Sequence, residues 1–219
     1  MKKERFLKEP GSAITHFIGM LMAIFAAIPL LIKAASEPAP IYIISLTIYA
    51  ASLILLYAAS TTYHSFGKTE KLHTLLKKID HLMIFVLIAG TYTPICLLVL
   101  DRPIGIIMLI IIWSIALLGM ILKLFWIYCP KWVSSALYIG MGWTCVIAFT
   151  QILDAMSPTA FGLLLGGGIV YTIGGVIYAL KLKIFEKLHE HFGRHEIFHL
   201  FVMGGSICHF ILMYAFVLP

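Results

Sequence analysis

Seven long apolar runs, separated by short polar loops, constrain this chain more than any other feature of its sequence. Each run is close to the ~20 residues that an α-helix needs to cross the hydrocarbon core of a bilayer. Strands of a membrane barrel would be about half as long and would alternate in polarity, which these runs do not. The pattern therefore predicts an all-α fold, a seven-transmembrane helix bundle that forms one domain over residues 1–219. The predicted spans are residues 15–32, 41–63, 79–100, 104–125, 131–153, 159–182 and 195–218.

The basic residues fall almost entirely on one side of these spans. Of sixteen Lys and Arg residues, all except Lys33 and Arg102 lie on the same side as the N-terminus. Because cationic loops stay in the cytoplasm, this asymmetry predicts a cytoplasmic N-terminus, an extracytoplasmic C-terminus and a multi-pass protein of the cell membrane. The net charge of +6 is then explained by orientation signals and by contacts with anionic membrane lipids, and we expect no nucleic-acid partner.

Few chemically active side chains lie within the spans, and such residues usually serve a function because their burial in a membrane is costly. Side chains four apart share one face of a helix, so Ser60 with His64, and His195 with His199, can each point at one spot. Asp80 is predicted at the same depth, near the cytoplasmic face. Three imidazoles, those of His64, His195 and His199, are enough for a zinc site with an open coordination position. The spacing therefore predicts zinc as a cofactor, bound within the membrane.

Asp80 and Ser60 are the candidate catalytic residues beside this site. Zinc lowers the pKa of a bound water to about 7, and we expect Asp80 to orient that water and to remove its proton. Ser60, one turn from His64, is expected to hydrogen bond to a metal ligand, to the water or to a polarised carbonyl. The competing interpretation is that these histidines are only polar caps at the membrane interface, since every histidine except His209 is predicted near that face.

The segment from His195 to His199 also matches HExxH, the helical motif of zinc proteases in which the glutamate is the base. An intramembrane protease of this kind should offer a carboxylate ligand on a later helix. This helix is the last, and Asp154 is predicted on the other side of the membrane. The motif therefore supports metal binding, and proteolysis remains an alternative that we do not favour.

The remaining histidines and the cysteines are given structural roles. His209 lies ten residues after His199, about 15 Å further along the helix, and is predicted outside the metal site. His73 is predicted to be solvated in a loop among lysines. His16 is interpreted as an interfacial residue, with a place beside the metal ligands as the alternative. Without CxxC spacing, the cysteines are predicted to be small buried residues and not disulfides; they are Cys96, Cys129, Cys145 and Cys208.

Pro94 interrupts the third span and predicts a kink, because proline removes a hydrogen bond from the helix. Residues on one face of this helix should then line a cavity above the aspartate. That face comprises Asp80, Ile84, Leu87, Thr91 and Pro94.

Glycines in the last two spans predict close helix packing. Gly162 and Gly166 form a GxxxG step in the sixth span, and Gly204 and Gly205 lie in the seventh. Such positions let helix backbones approach closely in lipid. We expect the sixth span to pack against the seventh; a homo-oligomer through the GxxxG step is the alternative, which the sequence does not indicate.

Several motifs, taken together and in this order, make the chain resemble the hemolysin III family, which belongs with the progestin and adipoQ receptors and more distantly with alkaline ceramidases. The resemblance implies seven helices and a cytoplasmic N-terminus. It also implies a zinc ion held by His64, His195 and His199, with Asp80 in contact with the zinc-bound water and Ser60 near the metal ligands. The motifs are Glu9 to His16, Ser60-Thr-Thr-Tyr-His64, Asp80, Gly90-Thr-Tyr-Thr-Pro94, and His195-Glu-Ile-Phe-His199 followed by His209.

Hydrolysis of a lipid amide or ester bond is the function that these residues favour, with membrane lipids as partners and a lipid as substrate. A ceramide-like substrate is suggested by the resemblance alone. The first alternative is a channel-forming cytolysin, a toxin that causes haemolysis. A water-filled pore needs polar residues along its length, and the outer halves of these spans are nearly all apolar. The second alternative is a lipid or stress sensor in which zinc is structural.

Overall fold

The fold is a bundle of membrane-spanning helices. A computed structural model describes residues 7–67, 69–180 and 192–218. In these ranges seven helices are long and apolar enough to cross a membrane, so the predicted all-α, seven-span fold is confirmed. Residues 181 and 182, the predicted end of the sixth span, lie outside the described part. The helices are α1 (Pro10–Ser36), α2 (Pro40–Ser65), α3 (Glu70–Val99), α4 (Arg102–Phe125), α5 (Lys131–Ala155), α6 (Pro158–Leu180) and α7 (Arg194–Val217).

Proline and threonine residues set the starts of several helices earlier than the apolar runs predict. α1 begins at Pro10, five residues before the predicted span, because proline fits the first turn of a helix, where no N–H partner is needed. α3 begins at Glu70, nine residues early, and the Thr69 hydroxyl accepts a hydrogen bond from the Leu72 amide at 3.3 Å. His73 therefore lies on a helix, and the predicted loop position was wrong.

Three of the described helices change their winding along their length: α3, α5 and α7, the last of which ends in a π-helical turn over Met213–Val217. α3 passes after Pro94 into a π-helical turn over Ile95–Val99, where the Leu100 amide donates to the Ile95 carbonyl at 3.1 Å. The winding thus changes at Pro94, the residue where the sequence predicts an interruption; proline has no N–H to donate to the carbonyl four residues earlier. α5 is interrupted by a 3₁₀ segment over Trp143–Ala148.

The outward faces of the bundle are apolar and need lipid as their solvent. Phe25 and Ile32 on α1, and Ile110 and Leu118 on α4, are exposed side chains with nothing polar to cover them from within the chain. A soluble protein does not expose apolar surface on this scale. The polar groups turn inwards, and most of them gather where α1, α3, α5 and α7 begin and α2, α4 and α6 end, which we call the basic end of the bundle.

Lys33, one of the two basic residues at the opposite end, has a structural role. Its ammonium group donates to the carbonyl oxygens of Tyr214 at 3.2 Å and Leu218 at 3.3 Å. The last carbonyls of a helix have no partner within the helix, and a cation there also suits the negative end of the helix dipole. Lys33 thus ties the end of α1 to the end of α7.

α6 and α7 pack closely through glycines, and Gly205 takes part as predicted, whereas the GxxxG pair does not. A Cβ atom on Gly174 would lie 2.6 Å from the Cβ of Phe201, and one on Gly205 would lie 2.7 Å from the ring of Tyr171. A Cβ atom on Gly162 or Gly166 would have no neighbour within 4 Å. Packing of the sixth span against the seventh is therefore confirmed, whereas the GxxxG step does not make the contact, because its glycines face away from α7.

Replacing Gly105 by alanine should destabilise the junction of α3 and α4, because a Cβ atom there would lie 2.0 Å from the main-chain carbonyl oxygen of Cys96. We expect a loss of about 1–3 kcal/mol in the free energy of unfolding. Gly166→Ala is the matched control, since its Cβ atom would meet open space. Thermal denaturation in detergent measures both, and equal midpoints for the two variants would contradict this packing.

Candidate metal centre

The basic end of α2 and the start of α7 bring three histidines together. One ring nitrogen from each of His64, His195 and His199 lies within 4.8 Å of the others. The Nε2 atoms of His64 and His195 are 3.1 Å apart. His64 and His199 are buried, and His195 is half-buried. The three residues singled out by their i,i+4 spacing and common depth thus converge on one point.

The segment before α1 holds Glu9 against His64 by main-chain hydrogen bonds. The Glu9 amide donates to the His64 carbonyl at 3.0 Å, and the Lys8 amide donates to the Ser65 carbonyl at 3.4 Å. These main-chain bonds set the Glu9 carboxylate beside the His64 ring, whose Nδ1 it contacts. Glu9 has no predicted role from the sequence alone beyond its place in the motif that precedes α1.

The contact between Glu9 and His64 fixes which nitrogen of His64 is free. Partial burial opposes ionisation of Glu9, but the hydrogen bond and charge of His64, with Lys8 nearby, lower the pKa of Glu9 from 4.5 to about 2. The carboxylate is therefore ionised at neutral pH and can only accept, so Nδ1 of His64 carries the proton. The lone pair of Nε2 is then left to face His195 and His199.

His199 is oriented in the same way by α1. Its Nδ1 lies 3.1 Å from the Thr15 hydroxyl. That hydroxyl is 3.0 Å from the carbonyl oxygens of both Gly11 and Ser12, to which it donates its single hydrogen. It must accept from His199, so Nδ1 carries the proton and Nε2 has the free lone pair. Two of the three imidazoles thus present the nitrogen that a metal would bind.

His16 lies inside the cluster and not at the interface. Its ring stacks on that of His199, with centroids 3.5 Å apart, and meets the ring of Tyr57 edge-on at 5.1 Å. It is buried, and neither of its ring nitrogens has a hydrogen-bond partner in the structure. The interfacial interpretation was wrong, because the tertiary contact of α1 with α7 draws the residue inwards.

Asp80 and Ser60 lie on the wall of a cavity that also includes His195 and His199. Asp80 Oδ2 is 3.3 Å from Nδ1 of the neighbouring His81. Asp80 does not belong to the group whose donor atoms converge. The predicted catalytic residues are thus at the same end of the same cavity as two of the histidines.

The cavity has a volume of about 210 Å³ and runs between the helices from this cluster towards the opposite end of the bundle. Ile84, Leu87 and Thr91 line it above Asp80, as the shared helix face predicted. Pro94 is not part of the wall. Beyond the polar end, the lining is predominantly apolar side chains. A polar centre therefore opens directly onto an apolar chamber.

Glu196, the glutamate of the HExxH match, fastens the start of α7. One carboxylate oxygen accepts from the Ser12 hydroxyl, and the other accepts from the Gly193 amide at 2.8 Å. The first amides of a helix lack partners within the helix, and glutamate at the third position commonly fills this role. These contacts make Glu196 a helix cap and do not favour it as a catalytic base.

A second buried polar cluster lies at the basic end of α4. Lys123, predicted among the loop cations, is fully buried and donates to Cys129 Sγ at 2.9 Å and to the Ser134 hydroxyl. Burial alone would raise the pKa of the Cys129 thiol, but the bond to Lys123 lowers it below the usual 9.0. Cys129 is therefore more than the small buried residue predicted. All four cysteines are free thiols.

Comparison with known proteins identifies the family to which this chain is similar. The family described as Haemolysin-III related matches residues 4–210. Hemolysin-3 of Bacillus cereus is 40% identical over 218 residues, which cover 98% of this chain and 94% of that protein. The Hemolysin-3 homolog of Bacillus subtilis (strain 168) is 40% identical over 214 residues, which cover 97% and 96%.

These matches agree with the resemblance seen in the sequence motifs and confirm it. With the seven apolar helices, they indicate a multi-pass membrane protein, for which the cell membrane is the expected location in bacteria. Since the match extends over nearly the whole chain, the protein belongs to the haemolysin III family.

Proposed function

We propose that this protein is a zinc-dependent hydrolase that cleaves an amide or ester bond of a membrane lipid. One observation carries the proposal: three imidazole nitrogens within 4.8 Å of one another lie at the polar end of an apolar cavity inside the bundle. The three nitrogens offer a metal site, and the apolar cavity offers room for an acyl chain. Asp80 and Ser60 line the cavity at the same end.

The donor set fits zinc. Two nitrogens bound to one zinc ion at about 2.0–2.1 Å in tetrahedral geometry lie about 3.3 Å apart, and the Nε2 atoms of His64 and His195 are 3.1 Å apart. Histidine ligands of zinc usually donate their other ring N–H to a carboxylate, a carbonyl or water. Glu9 beside His64 supplies such a partner, and the Thr15 hydroxyl does so for His199.

The residues on the cavity wall suit hydrolysis. When bound, zinc supplies a Lewis acid that polarises a carbonyl and lowers the pKa of water to about 7. Asp80 would hold a water molecule against the lipid carbonyl and accept its proton as the oxygen adds to the carbonyl carbon. The Ser60 hydroxyl would donate to the carbonyl oxygen as negative charge develops there. Asp80 would then return the proton to the departing amine or alkoxide as the bond breaks.

Lysis of red cells is the second candidate function, because the relatives carry the name Hemolysin-3. The walls of the cavity argue against a water-filled pore. Away from the basic end they include Ile95, Met108 and Ile152, and such side chains offer water no hydrogen-bond partner. A sensor with structural zinc would have the same metal site and would bind lipid without turning it over.

Removing a metal ligand should abolish zinc binding. We expect stoichiometric zinc in the purified wild-type protein and its loss in His64→Ala and in His195→Ala, because two imidazoles cannot hold the ion as three do. His73→Ala is the matched control, since His73 lies at the same end of the bundle but outside the cluster. Elemental analysis measures the metal; zinc-free wild-type protein would end the proposal.

Asp80→Asn should abolish lipid hydrolysis while zinc remains bound. Loss of a general base costs about 10²–10⁴-fold in rate, and the amide keeps the size of the side chain. Glu196→Gln is the control carboxylate, because its contacts cap α7, and it should retain hydrolysis. Release of fatty acid from a panel of lipid amides and esters measures turnover. Equal rates for Asp80→Asn and the wild type would remove Asp80 from the mechanism; zinc with no turnover in the wild type would favour a sensor.

Leakage of dye from liposomes should depend on cleavable lipid if the protein is a hydrolase. We expect leakage from ester-lipid liposomes with the wild type and none with Asp80→Asn, and none from matched ether-lipid liposomes, which contain no ester or amide bond. A pore would cause leakage without breaking a bond in the lipid. Leakage from ether-lipid liposomes that persists in His64→Ala and His195→Ala would support the cytolysin instead.

A further inference from the structure

His209 on α7 lines the apolar part of the cavity and has a buried nitrogen without a hydrogen-bond partner. The side chain is 7% exposed, it lines the cavity, and its Nδ1 has no hydrogen-bond partner. Among the described residues that line the cavity away from the basic end, Nδ1 of His209 is the one buried polar side-chain atom without a hydrogen-bond partner. An unpaired polar atom in such surroundings is costly and points to a group that the protein chain does not supply.

The partner of the other ring nitrogen defines what Nδ1 needs. Nε2 lies 3.1 Å from the carbonyl oxygen of Leu164, which can only accept, so Nε2 carries the proton. A charged imidazole without a counter-ion would be unfavourable in the middle of a membrane, so the ring is neutral and Nδ1 has a free lone pair. The missing group is therefore a hydrogen-bond donor. A ketone or an ester carbonyl would not satisfy it.

The neighbours of His209 hold its ring in this position. A Cβ atom on Gly167 would lie 2.5 Å from both Cδ2 and Nε2 of the ring, so the glycine makes the space that the ring fills. The Tyr171 ring lies beside it with centroids 5.4 Å apart, but the Tyr171 hydroxyl is already hydrogen bonded to Ser206 at 2.8 Å. The Leu164 carbonyl thus holds one edge of the ring, and the side chain forms part of the cavity wall.

The position of His209 along the cavity sets where the donor belongs. It lies ten residues from His199, about 15 Å along α7. The wall between them includes Val202, and that across the cavity includes Ile95 and Cys96. An acyl chain with its carbonyl at the imidazole cluster would cross this apolar stretch and bring its middle carbons to His209.

We propose that the cavity binds a lipid whose hydrocarbon chain carries a hydroxyl group partway along it, and that Nδ1 of His209 accepts the hydrogen bond of that hydroxyl. The inference rests on the proposed function in one respect, that an acyl chain occupies the cavity. It adds the chemical class of the chain, a mid-chain hydroxy fatty acyl group.

Competition binding of free fatty acids to the purified full-length protein tests this without turnover. A fluorescent fatty acid is displaced by ricinoleic acid, whose hydroxyl lies near the middle of the chain, by oleic acid, and by the ketone made by oxidising ricinoleic acid. We expect the wild type to bind ricinoleic acid about 2- to 10-fold more tightly than the other two, the factor expected of one net hydrogen bond.

The preference should vanish in His209→Phe, which keeps a ring of similar size but has no acceptor. Gly167→Ala is the second variant, because its methyl group would displace the ring while leaving His209 in the chain. Gly166→Ala, one residue away and facing open space, should keep the preference.

Equal affinity of the wild type for ricinoleic and oleic acids would overturn the inference, and so would a preference that persists in His209→Phe. Failure of any fatty acid to displace the probe would overturn it together with the acyl-chain part of the proposed function. Selective binding of ricinoleic acid by a protein that shows no hydrolysis would overturn the proposed hydrolase alone and leave this inference standing.

Discussion

A polar side chain inside a bilayer is stabilised when another group of the protein pairs with it, and several helix contacts of this bundle are made by such pairs. His64 is paired with Glu9, His199 with Thr15, and Lys123 with Cys129 and Ser134. In the middle of the bundle, the hydroxyls of Tyr57 and Tyr171 both hydrogen bond to Ser206 at 2.8 Å, which joins α2, α6 and α7. Water is absent from the hydrocarbon core, so each pairing selects a particular packing of helices.

The parts of the structure that depend on local chain geometry could be predicted from the sequence. Apolar runs of membrane length identified the seven helices, and the i,i+4 spacing identified His195 and His199 as one face of α7. The shared face of α3 likewise predicted the lining of the cavity by Asp80, Ile84 and Leu87. Helix period and bilayer thickness alone fix these features.

The parts that depend on contacts between distant segments could not be predicted in this way. Nothing local to Glu9 indicates that it lies against His64, because two main-chain hydrogen bonds across more than fifty residues of sequence bring it there. His16 has the sequence context of an interfacial residue, and only the packing of α1 against α7 buries it on His199. The early start of α3 depends on the Thr69 cap, which hydropathy does not register.

The meeting of α1 with α7 has a consequence for biosynthesis. A ribosome releases α1 first and α7 last, yet Thr15 and His16 complete the surroundings of His199, and Ser12 holds the glutamate that caps α7. The imidazole cluster therefore cannot assemble until α7 has been synthesised and has packed against α1, whichever helices have already entered the bilayer. The proposed zinc site would form only after that step.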